Sequence, residues 1–342
     1  MGEGIVNERV KAKDLLKKIK DALKDTENEN IIKHHDELVK AKDVYYTKAD
    51  GLKIVINSGL FGKLGDENSF LFDLKAMYEV TINNQLYLMM LIEMLYYAGI
   101  DNISANTDGI ISKVPVDMKD TFYRVCEEWE KITKFNLEYN TYEKYVCHSV
   151  NNYIGISKGY SNSNKDNDAK ASYIKEKGLF ITNTQIDKGY KHPITSKALL
   201  AYYTDGVSIE DTIYNSNDIY DFCISIKTGA DFIKEYHYVK DGEVKIEILP
   251  KNVRYYISNR GGMIMKRYTT PFKDAKGTIR EYISLHSKRY STIFNDYFEV
   301  DNFKDYNIDY SYYIGECYKI INEISNAISL KQKRRNYGGL FD

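Results

Sequence analysis

The chain has 342 residues, enough for two or three packed units, and its 43% hydrophobic and 28% charged residues exclude wholesale disorder. Its 48 basic and 49 acidic side chains give a net charge of −1, and no run reaches the roughly 18 apolar residues of a membrane span. The first residues lack the basic-then-apolar order of a signal peptide. The cysteines Cys126, Cys147, Cys223 and Cys317 have neither metal-ligand nor disulfide spacing. We therefore expect a cytoplasmic protein with reduced thiols and no membrane partner.

Hydrophobic periodicity predicts three elements in the first third of the chain. Residues 7–47 have a helical apolar stripe broken by one polar turn, which predicts a helical hairpin. The dense apolar stretch 77–98 predicts a second helix that ends at Gly99, a residue suited to a left-handed C-cap. Residues 100–111 contain two short apolar runs around a polar tip, which predicts a β-hairpin with its turn near Asp108.

The following elements predict an α+β fold with an antiparallel sheet. A helix is expected at about 116–133, and paired strands at 135–142 and 145–156. Residues 158–170 are rich in Ser, Asn, Asp and Lys, which is typical of a linker, and we place a boundary there. The remainder is predicted to be mostly helical with a small β region. Its helices are expected at about 194–203, 208–226 and 310–330, and its short strands and turns within 236–290.

The first candidate functional residues lie in the segment 52–62. On a helix, Lys53 and Asn57 are four residues apart and share one face, so a cation and an amide can bind a phosphate chain together. Gly59 and Gly62 allow another backbone or a base pair to approach closely. The alternative is an ordinary solvated helix, because lysine and asparagine are common on helix surfaces.

The second candidate is the polar tip Ser104–Gly109. An acidic residue at the tip of a hairpin can hold a divalent cation, because the backbone is rigid there and the carboxylate of Asp108 faces outward. The alternative is turn chemistry alone, since Asn-Thr-Asp-Gly is an ordinary turn sequence.

Together, these two segments resemble the family B DNA polymerases, and the phage branch most closely. Lys-x-x-x-Asn-Ser followed by an aromatic-Gly pair makes residues 53–62 similar to motif B of the fingers. The Thr-Asp hairpin makes residues 105–109 similar to motif C of the palm. Thr81–Leu86 and a thumb-side stretch from Lys188 to Ile213 also resemble that branch. The resemblance therefore covers most of the chain.

The resemblance implies an activity and a division into parts. The activity is DNA-directed DNA synthesis, in which a nucleotide is transferred from a dNTP to a primer 3′-hydroxyl by two-metal catalysis. The parts are a fingers hairpin (1–64), the distal palm (65–157), and a thumb with the C-terminal tail (158–342). If the chain is encoded by a phage, its compartment is the cytoplasm of the infected bacterial host.

The resemblance also assigns roles to individual residues. Asp108 matches the position that binds the catalytic Mg²⁺, and Asn106 and Thr107 support it. Tyr153 matches a tyrosine that contacts the primer. Four residues on two antiparallel finger helices would bind the incoming dNTP, and Lys53 among them is also a catalytic candidate: Arg9, Lys13, Lys53 and Asn57.

The sequence departs from the family pattern within these motifs. Motif C has Asn106 where the family has a first, supporting Asp. Motif B has one residue more than usual between Asn57 and Phe61, which leaves the identity of its stacking residue open. The Lys of the family's Lys-x-Tyr is absent before Tyr153, where Asn151 stands.

The largest departure is the absence of motif A, which supplies the other metal-binding carboxylate, and of the proofreading exonuclease. Two-metal catalysis needs carboxylates on both sides of an ion pair roughly 3.5–4 Å apart, which Asp108 alone does not provide. The expectation is a split or truncated polymerase that needs a second polymerase chain carrying the exonuclease and motif A. Two alternatives stay open: a non-catalytic DNA-binding module derived from a polymerase, and a piece of a longer polymerase.

Basic and aromatic residues are interleaved between Lys251 and Tyr290, where ten basic residues stand against two acidic ones. Such a stripe neutralises the phosphates of primer–template DNA without reading its sequence. The candidate contacts are Arg254, Arg260, Lys266 and Arg267. The alternative is a solvated basic face.

The C-terminal Leu340-Phe341 follows a basic stretch and a Gly-Gly pair. It resembles the peptides by which phage and bacterial polymerases dock on sliding clamps, so a sliding clamp is a candidate partner. A frayed terminus is the alternative.

Overall fold

The structure is a computed structural model that describes residues 2–23, 28–160, 173–182, 192–273 and 277–336. The chain divides into two compact units, Met1–Leu137 and Glu138–Asp342. Helices and antiparallel sheets occur together, which confirms the predicted α+β class. Within the described ranges, no helix is both long enough and apolar enough to cross a bilayer.

The first unit begins with the predicted helical hairpin. Its helices are α1 (Gly2–Ala22), the short α2 (Glu29–Lys33) and α3 (His35–Ile54). Helix α1 packs along α3, and each helix buries one alanine, Ala12 and Ala49. Small side chains at these positions let two helices approach closely, so the hairpin is held with few apolar residues.

Helix α3 continues without interruption into a π-helix at Val55–Phe61 and a single further turn, α4 (Gly62–Leu64). Next comes the long helix α5 (Leu74–Tyr97), which begins where the Asp73 carboxylate accepts a hydrogen bond from the backbone N–H of Ala76 at 3.0 Å. It ends, as predicted, at Gly99, whose φ of +81° is favourable for glycine.

A hairpin and one more helix complete the first unit. The hairpin pairs β1 (Asp101–Asn106) with β2 (Gly109–Lys113), and α6 (Lys119–Thr133) follows, as predicted. The indole N–H of Trp129 on α6 donates to the backbone carbonyl of Tyr87 on α5 at 2.8 Å. The small core of the unit is formed by Leu91, Leu95, Ile100, Val125, Cys126 and Trp129.

The described part of the second unit forms two antiparallel sheets. The smaller one has the order β3-β4-β5, with β3 at Tyr142–Ser149, β4 at Asn152–Ser157 and β5 at Ile174–Lys177. The larger one has the order β10-β9-β7-β8, and β6 and β11 also pair with β9. Its strands are β6 (Ile224–Lys227), β7 (Phe232–Lys240), β8 (Glu243–Ile248), β9 (Asn252–Lys273), β10 (Ile279–Ser284) and β11 (Ser291–Ile293).

Among the described residues, three α-helices cover these sheets: α7 (Pro193–Asp205), α8 (Ile209–Tyr214) and α9 (Tyr310–Asn336). Helices α7 and α9 match their predicted positions, whereas α8 is much shorter than the helix expected over 208–226. The core of the unit is rich in aromatic residues, and its largest fully buried side chains include Phe180, Phe222, Tyr255, Tyr256, Phe294 and Tyr313.

The predicted pair of strands is misplaced. Residues 135–141 form no strand, and the stretch 145–156, predicted as one strand, contains the turn between β3 and β4. The reason is packing against α6: the ring of Phe135 stacks on Trp129 with centroids 6.4 Å apart. The backbone N–H of Leu137 donates to the Glu130 carboxylate at 2.5 Å. These contacts replace strand pairing.

The β region of the second unit is larger than the sequence predicts, because β9 is one strand of 22 residues. Its central Gly261-Gly262 is typical of a turn but here allows close strand crossing. A Cβ on Gly261 would lie 2.5 Å from the carbonyl oxygen of Ser291, and one on Gly262 would lie 2.6 Å from that of His237. The glycines therefore bend the strand instead of ending it.

The division between the units lies at Leu137/Glu138, earlier in the chain than the boundary placed after residue 157. Strands β3 and β4, which the sequence assigns to the palm portion, pack in the core of the second unit through Val146, Ile154 and Ile156.

The buried hydroxyl of Tyr313 is expected to contribute measurably to the stability of the second unit. It accepts a hydrogen bond from the Ile257 N–H at 2.8 Å and donates one to the Phe222 carbonyl at 2.9 Å, all of them buried. We expect Tyr313→Phe to lower the free energy of unfolding by about 2–4 kcal/mol, because both backbone groups lose their partner. Urea denaturation measures this loss.

The matched control is Tyr318→Phe on the same helix, since Tyr318 is exposed and its hydroxyl donates to Glu210 at 3.1 Å. This change should cost less than about 1 kcal/mol. Equal losses in the two variants would contradict a structural role for the buried hydroxyl.

Candidate functional site

The motif B segment spans a change of helix type. Lys53 lies in the last turn of α3 and Asn57 lies in the π-helix, and both side chains are exposed. The backbone N–H of Gly62 bonds to the carbonyl of Asn57, five residues earlier. In an α-helix that bond joins residues four apart. The π-helix therefore absorbs one additional residue, and π-helical segments of this kind are frequent at functional sites.

Arg9 and Lys13 lie on α1, both half-buried. The neighbouring Glu8 forms an ion pair with Lys48 of α3 at 2.9 Å, and this lysine holds the pKa of Glu8 below its ordinary value. Lys53 lies five residues further along α3, about 7.5 Å at the rise of an α-helix. Because the helices are antiparallel, Arg9 and Lys13 continue from Glu8 in the opposite direction, so Lys13 lies about 15 Å from Lys53 along the helix axes. Three of the four predicted dNTP ligands thus lie on the helix pair and Asn57 lies on the π-helix that follows it. Their convergence on one nucleotide stays a prediction.

The side chain of Arg9 has an unusual environment. Its Nε is buried and has no hydrogen-bond partner in the described part of the chain. A buried guanidinium donor without a partner is costly. An anionic acceptor at this position would relieve the cost, which fits the predicted role of Arg9 near a triphosphate.

Asp108 lies at the exposed tip of the β1–β2 hairpin, where Asn106 pairs with Gly109 across a two-residue turn. Thr107 has a φ of +48°, which is an outlier for a β-branched residue. The Asp108 N–H donates to the Asn106 carbonyl at 2.5 Å, and the Thr107 hydroxyl donates to the Asn106 side-chain oxygen at 3.0 Å. Backbone strain of this kind is concentrated at functional sites.

The hairpin is fixed to α5 by one side chain. The Asn102 amide donates to the Ile92 carbonyl on α5 at 3.1 Å, and the Ser112 hydroxyl of β2 donates to its oxygen at 2.7 Å. A two-stranded sheet alone is marginal in water. These bonds attach it to the helix and thereby give Asp108 a defined position in the first unit.

The donor set at the tip fits part of a magnesium site. The carboxylate of Asp108 is the hard oxygen ligand that Mg²⁺ prefers, whereas the side-chain oxygen of Asn106 accepts the hydrogen bond from Thr107. No group of three or more His, Cys, Asp or Glu residues that could hold a metal ion occurs in the described part of the chain.

The tyrosine predicted to contact the primer has a lysine beside it that sequence comparison missed. Tyr153 on β4 pairs directly with Lys177 on β5, and the Lys177 Nζ lies 5.9 Å from the centre of the tyrosine ring. The family pattern has its lysine two residues before the tyrosine, where this chain has Asn151. Only the strand register could have revealed the cation, because Lys177 is far from Tyr153 in sequence.

The four predicted DNA contacts of the second unit are partly engaged within the protein. Arg254 lies over the ring of Tyr220 at 5.4 Å, and Lys266 over the ring of Phe232 at 5.6 Å. The guanidinium of Arg260 donates to the carbonyl of Asp305 at 2.9 Å, and Arg267 donates to the Glu235 carboxylate at 2.6 Å.

The structure does not bring these four side chains onto one surface. Lys266 and Arg267 are consecutive in β9, so their side chains point to opposite faces of the sheet. Burial acts to raise the pKa of Glu235, but the hydrogen bonds from Arg267 and His237 have a larger opposite effect. The pKa of Glu235 therefore lies below its ordinary value. Arg267 therefore neutralises a buried carboxylate, and a duplex on the opposite face would meet Lys266 instead.

Four predicted features lie wholly or mostly outside the described residues: the linker at 158–170, the stretch from Lys188 to Tyr190, Lys276 in the basic stripe, and the terminal Leu340-Phe341. Comparison of the chain with protein-family models and with curated proteins gives no match.

Proposed function

We propose that this chain is the carboxyl-terminal part of a DNA-directed DNA polymerase. It contributes fingers, the motif C hairpin and a DNA-binding thumb, and it acts with a second polymerase chain that carries motif A and the exonuclease. Its substrates are primer–template DNA and a dNTP, with Mg²⁺ as the cofactor.

The observation that carries the proposal is the π-helix at Val55–Phe61. The segment that resembles motif B has one residue more than the family pattern between Asn57 and the aromatic-Gly pair. In an α-helix, a backbone N–H bonds to the carbonyl four residues earlier, whereas here the Gly62 N–H bonds to the Asn57 carbonyl five residues earlier. The π-helix therefore places Gly62 relative to Asn57 as an α-helix would if the segment were one residue shorter. This bond supports the proposed motif B assignment, with Phe61 as its aromatic residue.

The proposed reaction assigns a task to each part of the first unit. Asp108 holds Mg²⁺, which when bound neutralises the phosphates and favours in-line attack of the primer 3′-hydroxyl on the α-phosphate, with loss of pyrophosphate. Lys53 and Asn57 bind the triphosphate from the exposed end of the finger hairpin. This chemistry depends on positioning and charge neutralisation more than on covalent help from the protein.

The surface of α5 supports the need for a second chain. Every residue from Tyr78 to Tyr87 is exposed, although several of them are large and apolar. A helix that is exposed on all sides normally has polar side chains there. We place the second polymerase chain on this segment and on the free edge of the hairpin. Its apolar residues are Tyr78, Val80, Ile82, Leu86 and Tyr87.

In the second unit, Tyr153 and Lys177 form the proposed primer contact. The lysine ammonium beside the tyrosine ring supplies the cation that the chain lacks at position 151. An aromatic ring with a neighbouring cation suits a sugar–phosphate backbone, because it combines apolar contact with charge neutralisation.

The test is primer extension on a primed template with Mg²⁺ and all four dNTPs, with the purified chain alone and mixed with the second chain. The mixture, called the reconstituted polymerase below, should extend the primer, and either chain alone should not. Duplex binding without extension in the mixture would contradict the proposal and favour a non-catalytic DNA-binding module.

Lys53 is expected to determine the affinity for the nucleotide. In the reconstituted polymerase, Lys53→Ala should raise the KM for dNTP by about 10- to 100-fold, because a charge-assisted contact to phosphate is lost. Steady-state extension at varied dNTP concentration measures this effect. Lys17→Ala, which removes another exposed lysine of the finger hairpin, should leave KM unchanged. Equal effects of the two changes would contradict the role of Lys53.

A further inference from the structure

The edge strand β8 of the larger sheet has no partner on its outer side. Within the described residues, β8 pairs only with β7, and the register from Lys240–Glu243 to Glu235–Ile248 is regular, without a bulge. All six residues of β8 are exposed. A regular edge strand is a template for another strand, and proteins often protect such an edge with bulges, prolines or charged side chains, especially lysine. Strand β8 has charged side chains but no bulge.

The side chains of β8 alternate between an apolar and a charged face. Val244, Ile246 and Ile248 share one face and are 68%, 56% and 67% exposed. On β7, Val239 pairs with Val244 and is 69% exposed, so it extends the apolar row. The opposite face of β8 has three charged residues: Glu243, Lys245 and Glu247. An uncovered apolar row of this kind marks an interaction surface.

The backbone N–H and C=O groups of the apolar β8 residues point away from β7. The hairpin turn at Asp241-Gly242 has φ values of 54° and 79°, typical of a two-residue type I′ turn. In such a hairpin the closing pair, Lys240–Glu243, is hydrogen-bonded, and the pairs then alternate. The N–H and C=O groups of Val244 and the two isoleucines therefore point away from β7, where another strand can bind them.

We propose that two copies of this chain associate by antiparallel pairing of their β8 strands about a two-fold axis at Ile246. Lys245 binds Glu243 of its own strand at 2.6 Å. In this register Lys245 of each copy also lies opposite Glu247 of the other, which adds two cross-strand ion pairs on the charged face. Val244 lies opposite Ile248, and the two Ile246 residues meet, on the apolar face. The interface is isologous, as two-fold symmetry requires.

Charge complementarity selects this register over the others with the same symmetry. A two-fold axis at Lys245 would place the two lysines opposite each other and Glu243 opposite Glu247. An axis at Glu247 would place two glutamates together. An axis at Val244 pairs Glu243 with Lys245 but leaves Ile248 without a partner. Like charges directly opposite each other destabilise a pair of strands.

Association through β8 goes beyond the proposed polymerase activity and does not depend on it. The contact joins two six-residue strands, which bury less than the roughly 1,200 Å² of a standard interface, so we expect a dissociation constant in the micromolar range. Pro250, which lacks an N–H group, limits pairing beyond the end of the strand.

The experiment is sedimentation velocity of the full chain at concentrations from about 1 to 100 µM. The mass should rise from 39.7 kDa towards twice that value with concentration. Lys245→Glu and Glu247→Lys should each weaken dimerisation at least about tenfold, because each places like charges opposite each other. The double variant Lys245→Glu/Glu247→Lys exchanges the charges and should restore it.

The matched control is Lys227→Glu, the same charge reversal at an exposed position of β6 whose strand partner, Asn252, is neutral, and it should dimerise like the unaltered chain. These positions are exposed, so far-UV circular dichroism should be unchanged in every variant. A chain that stays monomeric at all concentrations would overturn the proposal. The proposal would also be overturned if a single charge reversal did not weaken dimerisation, or if the double variant did not restore it.

Discussion

Replacing Asp108 by Asn should reduce primer extension by the reconstituted polymerase at least about a thousandfold, equivalent to roughly 4 kcal/mol of transition-state stabilisation. Asn keeps the shape of the side chain but removes the charge that holds Mg²⁺. Asp108 is exposed at the hairpin tip and is not part of the core. The stability of the first unit should therefore stay the same, as reported by fluorescence of Trp129, the one tryptophan of the chain.

The control is Asp117→Asn, which neutralises another exposed carboxylate of the first unit, in the short 3-10 helix Val116–Met118. Activity should be unchanged there. An Asp108→Asn enzyme that keeps more than a tenth of the activity would contradict metal binding at this position.

The second unit should lose stability below pH 6.5 because it buries two neutral histidines. Burial lowers the pKa of His192 to about 3, and the charge of the nearby His286 acts in the same direction. Burial lowers the pKa of His286 to about 4. The unfolded chain takes up these protons as the pH falls below 6.5, while the folded unit does not. The free energy of unfolding therefore decreases as the pH is lowered. Between pH 6.5 and 4.5 the loss should reach about 3–5 kcal/mol.

Urea denaturation followed by far-UV circular dichroism measures this loss, and Trp129 separately follows the first unit. His192→Phe should reduce the pH dependence by about half, because one of the two protons is no longer taken up on unfolding. The ring of His192 already packs against Tyr312 and Tyr313, with centroids 5.3 and 4.9 Å apart, so an aromatic replacement suits the site. An unchanged slope in this variant would contradict the account.

Local patterns were enough to predict the elements of the first unit. The periodicity of 7–47 and 77–98 and the glycine at position 99 predicted the helices, and the polar tip predicted the hairpin. The strand expected over 135–142 failed because Phe135 packs on Trp129, a tertiary contact that alternation of residues cannot reveal. The length of β9 was missed because Gly261-Gly262 indicates a turn in sequence but permits close strand crossing in the fold.

The candidate residues Asp108 and Lys53 were also proposed from local patterns, because the motifs they resemble are contiguous in sequence, and their roles stay predictions. The π-helix that absorbs the additional motif B residue depends on backbone hydrogen bonds, which sequence spacing shows only as a mismatch. The cation beside Tyr153 comes from another strand, and only the β4–β5 register identifies Lys177. The internal partner of Arg267 likewise required the position of Glu235.

The central claim, that Asp108 holds the catalytic metal ion, is tested most directly by exchanging its oxygen ligand for sulfur. In the reconstituted polymerase, Asp108→Cys should be inactive with Mg²⁺, which prefers oxygen ligands, and should regain activity when Cd²⁺ is supplied, since thiolates suit softer metals. Asp117→Cys should show no such dependence on the metal. If Asp108→Cys is as active with Mg²⁺ as the unaltered chain, Asp108 does not bind the metal and the account is wrong.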